Sequence, residues 1–131
     1  MPATRIVIFE KGRTIESRLL LAVSDLPVEI KPVRLVDEFL FAVGSVPFAI
    51  AFIEHETDLE QSIKAVEIAS HHLAKSVVYL RTPCSDEARL SLRVAGAISL
   101  VVDLPERNRL RVLLEQLVRE SQDEFRLSDG G

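Results

Sequence analysis

Hydrophobic positions along the 131-residue chain switch repeatedly between a period of two and a period near 3.6. Residues 5–9, Arg-Ile-Val-Ile-Phe, form a short β-branched run stopped by Glu10-Lys11-Gly12, and this predicts a strand. From residue 14 to 26 the apolar positions Ile15, Leu19, Ala22, Val23 and Leu26 keep helical spacing, and Pro27 closes that helix. Residues 28–33 are a weaker strand, placed at a sheet edge by Pro32, which has no N–H to donate. Leu35, Phe39, Leu40 and Val43 make a second helical face closed by Gly44. Residues 48–53 are apolar throughout, as a strand covered on both faces requires.

The second half repeats the scheme. Thr57-Asp58-Leu59-Glu60 has the form of a capping box, so a helix should follow with Leu59, Ile63, Val66 and Leu73 facing inward. Residues 76–80 read as another buried strand. Ser85 can cap a helix carrying Ala88, Leu92 and Ala95, which Gly96 ends. Residues 97–102 are the fifth strand, and Leu110, Leu113, Leu114, Leu117 and Val118 the last helical face. The expectation is one domain over residues 1–121 and a polar, frayed tail over 122–131.

Strict alternation of five strands and five helices predicts an α/β fold with an open parallel sheet and helices on both faces. Sites in such folds lie at the C-terminal ends of the strands, which directs attention to Glu10, Glu54, Arg81, Thr82 and Asp103.

Composition narrows the function classes. A chain that is 47% hydrophobic and 27% charged has the make-up of a folded globular domain. Its net charge of −4, with acids and bases mixed, and its 5% aromatic content give no footprint for nucleic acid. The single Cys84 cannot form an internal disulfide. No signal-peptide pattern is visible, and the longest uncharged stretch, residues 39–53, falls short of the roughly 20 residues a membrane span needs. A cytoplasmic location without membrane contact is the expectation.

Four strand ends in order resemble the receiver domains of bacterial two-component response regulators, over residues 4–120. They are Arg5-Ile6-Val7-Ile8-Phe9-Glu10-Lys11, then Pro47-Phe48-Ala49-Ile50-Ala51-Phe52-Ile53-Glu54. Val77-Val78-Tyr79-Leu80-Arg81-Thr82 is the third. The fourth, Ala95-Gly96-Ala97 running on to Asp103-Leu104-Pro105, is similar to the family's Ala-Gly-Ala segment leading to Lys-Pro. The resemblance implies a flavodoxin-like (CheY-like), doubly wound five-stranded sheet in the order 2-1-3-4-5.

It also implies a phosphorylation site, and here the sequence departs. The family uses two acids to hold Mg²⁺, an Asp to accept the phosphoryl group, a Lys to neutralise it, and a Ser/Thr with an aromatic residue as the switch. Glu10 can stand for the first acid, but Lys11 occupies the second, where a cation repels the metal. The phosphoacceptor position falls on Ile53, or on Glu54 with a one-residue shift. The Ser/Thr position falls on Arg81 or Thr82, the Lys position on Asp103 or Leu104, and the aromatic position on Leu100. A site lacking its nucleophile and its Lys cannot carry ordinary phosphoryl transfer.

Each residue also has a plainer reading. Glu54 can be a strand-end acid paired with Lys11 or Arg81, and Glu10, Glu54 and Asp103 can belong to a salt-bridge cluster. Glu54-His55-Glu56 and His71-His72 invite a metal, but adjacent helical residues point about 100° apart and cannot chelate together. No metal or cofactor is therefore expected, and no enzyme. A degenerate receiver should bind protein partners or a second copy of itself. In the family the face of the fourth helix, fifth strand and fifth helix commonly does this, with Arg107, Arg109, Arg111, Glu115 and Arg119 as candidate contacts here. The alternative is a small anionic-ligand sensor using the strand-end cleft, where Arg81 and Lys11 would favour the anion.

Overall fold

The computed structural model describes residues 3–23 and 25–130, without the side chains of residues 125 and 128–130. The elements are β1 (Thr4–Phe9), α1 (Thr14–Ala22), β2 (Val28–Val33), α2 (Val36–Gly44), β3 (Ile50–His55), α3 (Leu59–His71), β4 (Lys75–Leu80), α4 (Asp86–Ala95), β5 (Ser99–Val101) and α5 (Arg107–Gly130). The strands form one parallel sheet in the order β2-β1-β3-β4-β5, the doubly wound flavodoxin-like arrangement.

Period-two alternation sorts each central strand between two cores. Val7 and Phe9 of β1, Ala51 and Ile53 of β3, and Val78 and Leu80 of β4 pack with α2, α3 and α4 through Phe39, Val43, Val66 and Leu92. Ile6, Ile8, Ile50, Phe52 and Val77 pack on the other side with Ile15 and Leu19 of α1 and Leu110, Leu114 and Leu117 of α5. Both faces of β1, β3 and β4 are covered, which is why their sequences read as unbroken apolar runs. β2 is an edge strand, as Pro32 requires.

Several expectations are corrected. α1 stops at Ala22, and Leu26 instead donates its N–H to the Val23 carbonyl in the turn toward β2. Leu35 and Leu40 face solvent; Phe39, Ala42 and Val43 make the buried face of α2. β3 begins two residues later than its apolar run, because Phe48 has φ 53° and breaks the extended backbone, and it continues through Glu54 and His55. The cap of α3 is Asp58, not Thr57: its carboxylate accepts the Gln61 N–H at 3.0 Å. Leu73 lies beyond the end of α3 with φ 61° and is exposed, so the inward face is Ser62, Ala65, Val66 and Ala69. Only Ser99–Val101 of the fifth apolar run pairs with β4.

Residues 122–130 are helical rather than frayed. α5 has 24 residues, so it is about 36 Å long, against about 20 Å for a six-residue strand. Its later turns are tied to the start of β4 by Lys75, whose Nζ lies 2.8 Å from Glu124 and 3.7 Å from Glu120. No described helix is long and apolar enough to cross a membrane.

Candidate functional site at the strand ends

At the C-terminal edge of the sheet a cavity of about 80 Å³ lies over β1 and β3, lined by Glu10, Lys11, Arg34, Ile53, Glu54, Glu56 and Asp58, among others. Glu10 is buried, with 4% exposure. One of its oxygens accepts the Ile15 N–H and the other the Glu16 N–H, both at 2.9 Å. Arg13, the residue at the cap position of α1, supplies no side-chain cap, so Glu10 neutralises that helix N-terminus from the preceding strand end. Both carboxylate oxygens of the expected metal-binding acid are thus engaged by the backbone.

Ile53 and Glu54 separate cleanly. Ile53 is in the core at 1% exposure, on the face toward α2 and α3. The Glu54 side chain is 3% exposed and sits at the strand end, 3.3 Å from Nη1 of Arg81. Its other oxygen accepts the Lys11 N–H at 3.5 Å. Arg34 donates from Nε to the Lys11 carbonyl at 3.1 Å and joins the β2 edge to this cluster. Thr82 donates its hydroxyl to the Glu56 carbonyl at 2.6 Å, and the Arg81 N–H reaches the His55 carbonyl at 3.0 Å. Asp103 and Leu104 stay apart: they line a surface depression with Pro105, Glu106 and Arg109, so Asp103 does not join the Glu10–Glu54 cluster.

Sequence reasoning missed the role of His55. β3 extends two residues past Ile53, so alternation carries His55 to the same face as Ile53, where it is 4% exposed. Its Nδ1 lies 2.8 Å from Ser62 Oγ, and the Ser62 hydroxyl donates to the Asp58 carbonyl at 3.1 Å. The Ser62 backbone N–H also reaches that carbonyl at 3.1 Å, and which atom of the His55–Ser62 pair donates follows the tautomer of the ring. Burial lowers the His55 pKa below its ordinary 6.5, opposed by the nearby Asp58 charge. His71 and His72 meet edge to face at 5.3 Å, and the His72 ring packs against Gly44. Among the described residues no three His, Cys, Asp or Glu side chains come together to ligate a metal ion.

The charged candidates on α5 divide by flank. Arg111 pairs with Asp25 and with Glu115, and its Nη1 also reaches the Ala22 carbonyl, so Arg111 ties α5 to the end of α1. Arg107, Arg109 and Arg119 are exposed. Large apolar side chains also stand in solvent: Leu90 and Val94 on α4, Ile98 and Val102 flanking β5, and Val112 on α5.

No family profile and no curated protein matches the chain significantly. Solved structures do. A response regulator from Thermotoga maritima superposes with a TM-score of 0.75 at 11% identity, over 89% of this chain and 98% of that one. A CheY-like response regulator receiver domain protein from Methanospirillum hungatei gives 0.65 at 18% identity, over 95% and 99%. NtrX from Brucella abortus gives 0.66 at 21% identity, over all of this chain and 30% of that longer one. The chain therefore has the fold of response-regulator receiver domains.

Proposed function

We propose that this chain is a receiver-type signalling module that works without phosphorylation, by binding a protein partner or a second copy of itself over α4, β5 and α5. The observation that carries the reading is Glu10. A metal-dependent phosphoryl site relies on strand-end carboxylates, and each oxygen of Glu10 already accepts an N–H from the first turn of α1. Around it, Lys11 stands where a second acid is needed, Glu54 is paired with Arg81, and Ile53 is buried in the core. The Asp that lines the cavity, Asp58, caps α3. A degenerate, pseudo-receiver site accounts for all five.

The binding face is supported by chemistry of a different kind. Val94 is 79% exposed and Leu90 63%, and Ile98, Val102 and Val112 are exposed as well. Arg93, Arg107 and Arg109 together with Glu87, Asp103 and Glu106 are exposed on the same three elements and their connections. Exposed apolar side chains together with charges of both signs on these elements suit a protein surface rather than a small ligand.

The anionic-ligand alternative has less behind it. Three of the helix N-termini at this edge are capped by side chains from within, α1 by Glu10, α3 by Asp58 and α4 by Ser85, and at α2 Glu38 accepts the Leu35 N–H. Four carboxylates line the cavity against Lys11 and Arg34, and its volume is well below the roughly 300–1,000 Å³ of ordinary ligand sites.

The deciding experiment is an NMR titration of the labelled protein with Mg²⁺ and then beryllofluoride. Unmoved resonances for Glu10, Lys11, Glu54 and Arg81 are expected; saturating shifts there would refute the reading. In parallel, Val94→Asp should abolish self-association or partner capture, measured by sedimentation.

A further inference from the structure

His55 puts an ionisable ring where the alternation of β3 calls for an apolar side chain. Ala51 and Ile53 precede it on the same face, and all three are buried. The ring touches the first turn of α3, and packing holds that turn lightly. Thr57, Asp58, Glu60 and Gln61 are exposed, Leu59 and Ile63 are half-buried, and the buried apolar face begins only at Ala65. Ser62 is the one buried residue from 57 to 64. Its Oγ lies 2.8 Å from His55 Nδ1 and 3.1 Å from the Asp58 carbonyl, and the Asp58 carboxylate accepts the Gln61 N–H at 3.0 Å. Asp58, Gln61 and Ser62 also line the strand-end cavity from the α3 side.

The neutral ring fits this arrangement and the protonated ring does not. Imidazolium carries two N–H donors, whereas among the described residues the ring has one hydrogen-bond partner, Ser62. A buried charge with an unmet donor is costly, and the lightly packed turn is the part that can yield. Burial lowers the proton affinity of the ring more than the neighbouring Asp58 charge raises it. Of the other charged groups, Glu54 is paired with Arg81 of β4, Glu56 is half-buried, and Glu60 and Lys64 of α3 and Asp86 and Glu87 of α4 are exposed. The buried face of α2 is apolar, and Cys84 packs against this core from the β4–α4 connection. We propose that His55, Ser62 and the Asp58 cap form an acid-operated hinge: when the ring takes up a proton, the β3–α3 connection and the first turn of α3 open and uncover the strand-end cavity. The inference goes beyond the binding reading and does not depend on it, since it makes the proton, sensed at the strand ends, an input to this chain.

Amide protection factors for Gln61 and Ser62, whose N–H groups bond to the Asp58 carboxylate and carbonyl, report on the hinge when read against Ile6 and Val78 in the sheet. They should be constant above pH 6.5 and fall below it by up to about tenfold per pH unit, the slope of one proton, while the sheet amides hold. His55→Gln should flatten that dependence. Asp58→Asn keeps a capping oxygen but removes the charge that favours the proton, so the ring should titrate at lower pH, read from its carbon-bound proton shifts. A flat wild-type profile, or a fall that His55→Gln retains, overturns the hinge. Equal losses in the sheet would make the event global unfolding and overturn it too. Should His55→Gln fail to fold, Asp58→Asn decides, because a ring midpoint that stays put overturns the coupling of ring to cap.

Discussion

Gly96 is the residue whose replacement tests the packing of α3 on α4 most directly. It ends α4 with φ 127° and ψ 6°, a backbone that residues with a Cβ rarely adopt. A Cβ built there would stand 1.8 Å from Ser70 Oγ and 3.0 Å from Ser70 Cβ. Gly96→Ala should therefore incur two separate penalties. The backbone term is about 1–2 kcal/mol. The second is about 1 kcal/mol, because Ser70 must rotate away and lose its bond to Ala95. Reduced freedom of the unfolded chain returns roughly 0.5–1 kcal/mol. A net loss of about 2 kcal/mol follows, read as a shift of the urea midpoint at constant slope. Ser70→Ala separates the terms, since it removes the colliding oxygen and loses the same hydrogen bond by itself. The double variant should then cost about 1 kcal/mol less than the two single changes added together. Strict additivity, or a Gly96→Ala protein within about 0.5 kcal/mol of wild type, would refute the argument.

Three further outcomes are expected. His55 is held neutral by burial, so the unfolded chain binds its proton more readily; stability should be full above pH 6.5 and fall as the pH drops below it, and His55→Gln should flatten urea midpoints between pH 7.5 and 5.5. An equal slope in both proteins would show that another group is responsible. Glu10→Gln offers one acceptor oxygen where two are used and removes the charge at the α1 N-terminus, so it should cost about 1–2 kcal/mol in thermal or urea unfolding; a neutral effect would mean the cap is not needed. Lys75→Met should change global stability by only about 0–1 kcal/mol, yet speed amide exchange over the last turns of α5, where Glu120 and Glu124 lose their partner. Unaltered exchange there would mean that the helix end holds itself.

The fold was legible because its signals were redundant. Runs covered on both faces marked β1, β3 and β4, Pro32 marked an edge, and Ser85 and Gly96 bracketed α4 at the positions found. Misreadings arose where two residues offered the same chemistry. Thr57 and Asp58 are both good caps with an acid or amide three residues on, and only the backbone decides for Asp58. Leu73 keeps helical spacing, but the helix ends at His71, so periodicity no longer applies to it. The site was harder to read. A strand-end acid five residues before a helical amide looks like a metal ligand in one dimension and becomes a helix cap only in three. The His55 signal was present, since alternation through Ala51 and Ile53 leads to it, but the strand was ended two residues too soon. Arg111 shows the opposite limit, because nothing local predicts a partner 86 residues away.

The two rims of the sheet are defended unequally. β2 presents Glu29, Lys31 and Pro32 outward, a combination that discourages another chain from adding on. β5 lacks a proline and carries exposed Ile98 and Val102 on its flanks, and its protection is its length of only three residues. If copies of this chain pair over β5, as proposed, that side is used up in both participants, and the guarded β2 rim, with Glu29, Lys31 and Pro32, offers a third copy little to extend; such pairing would end at two.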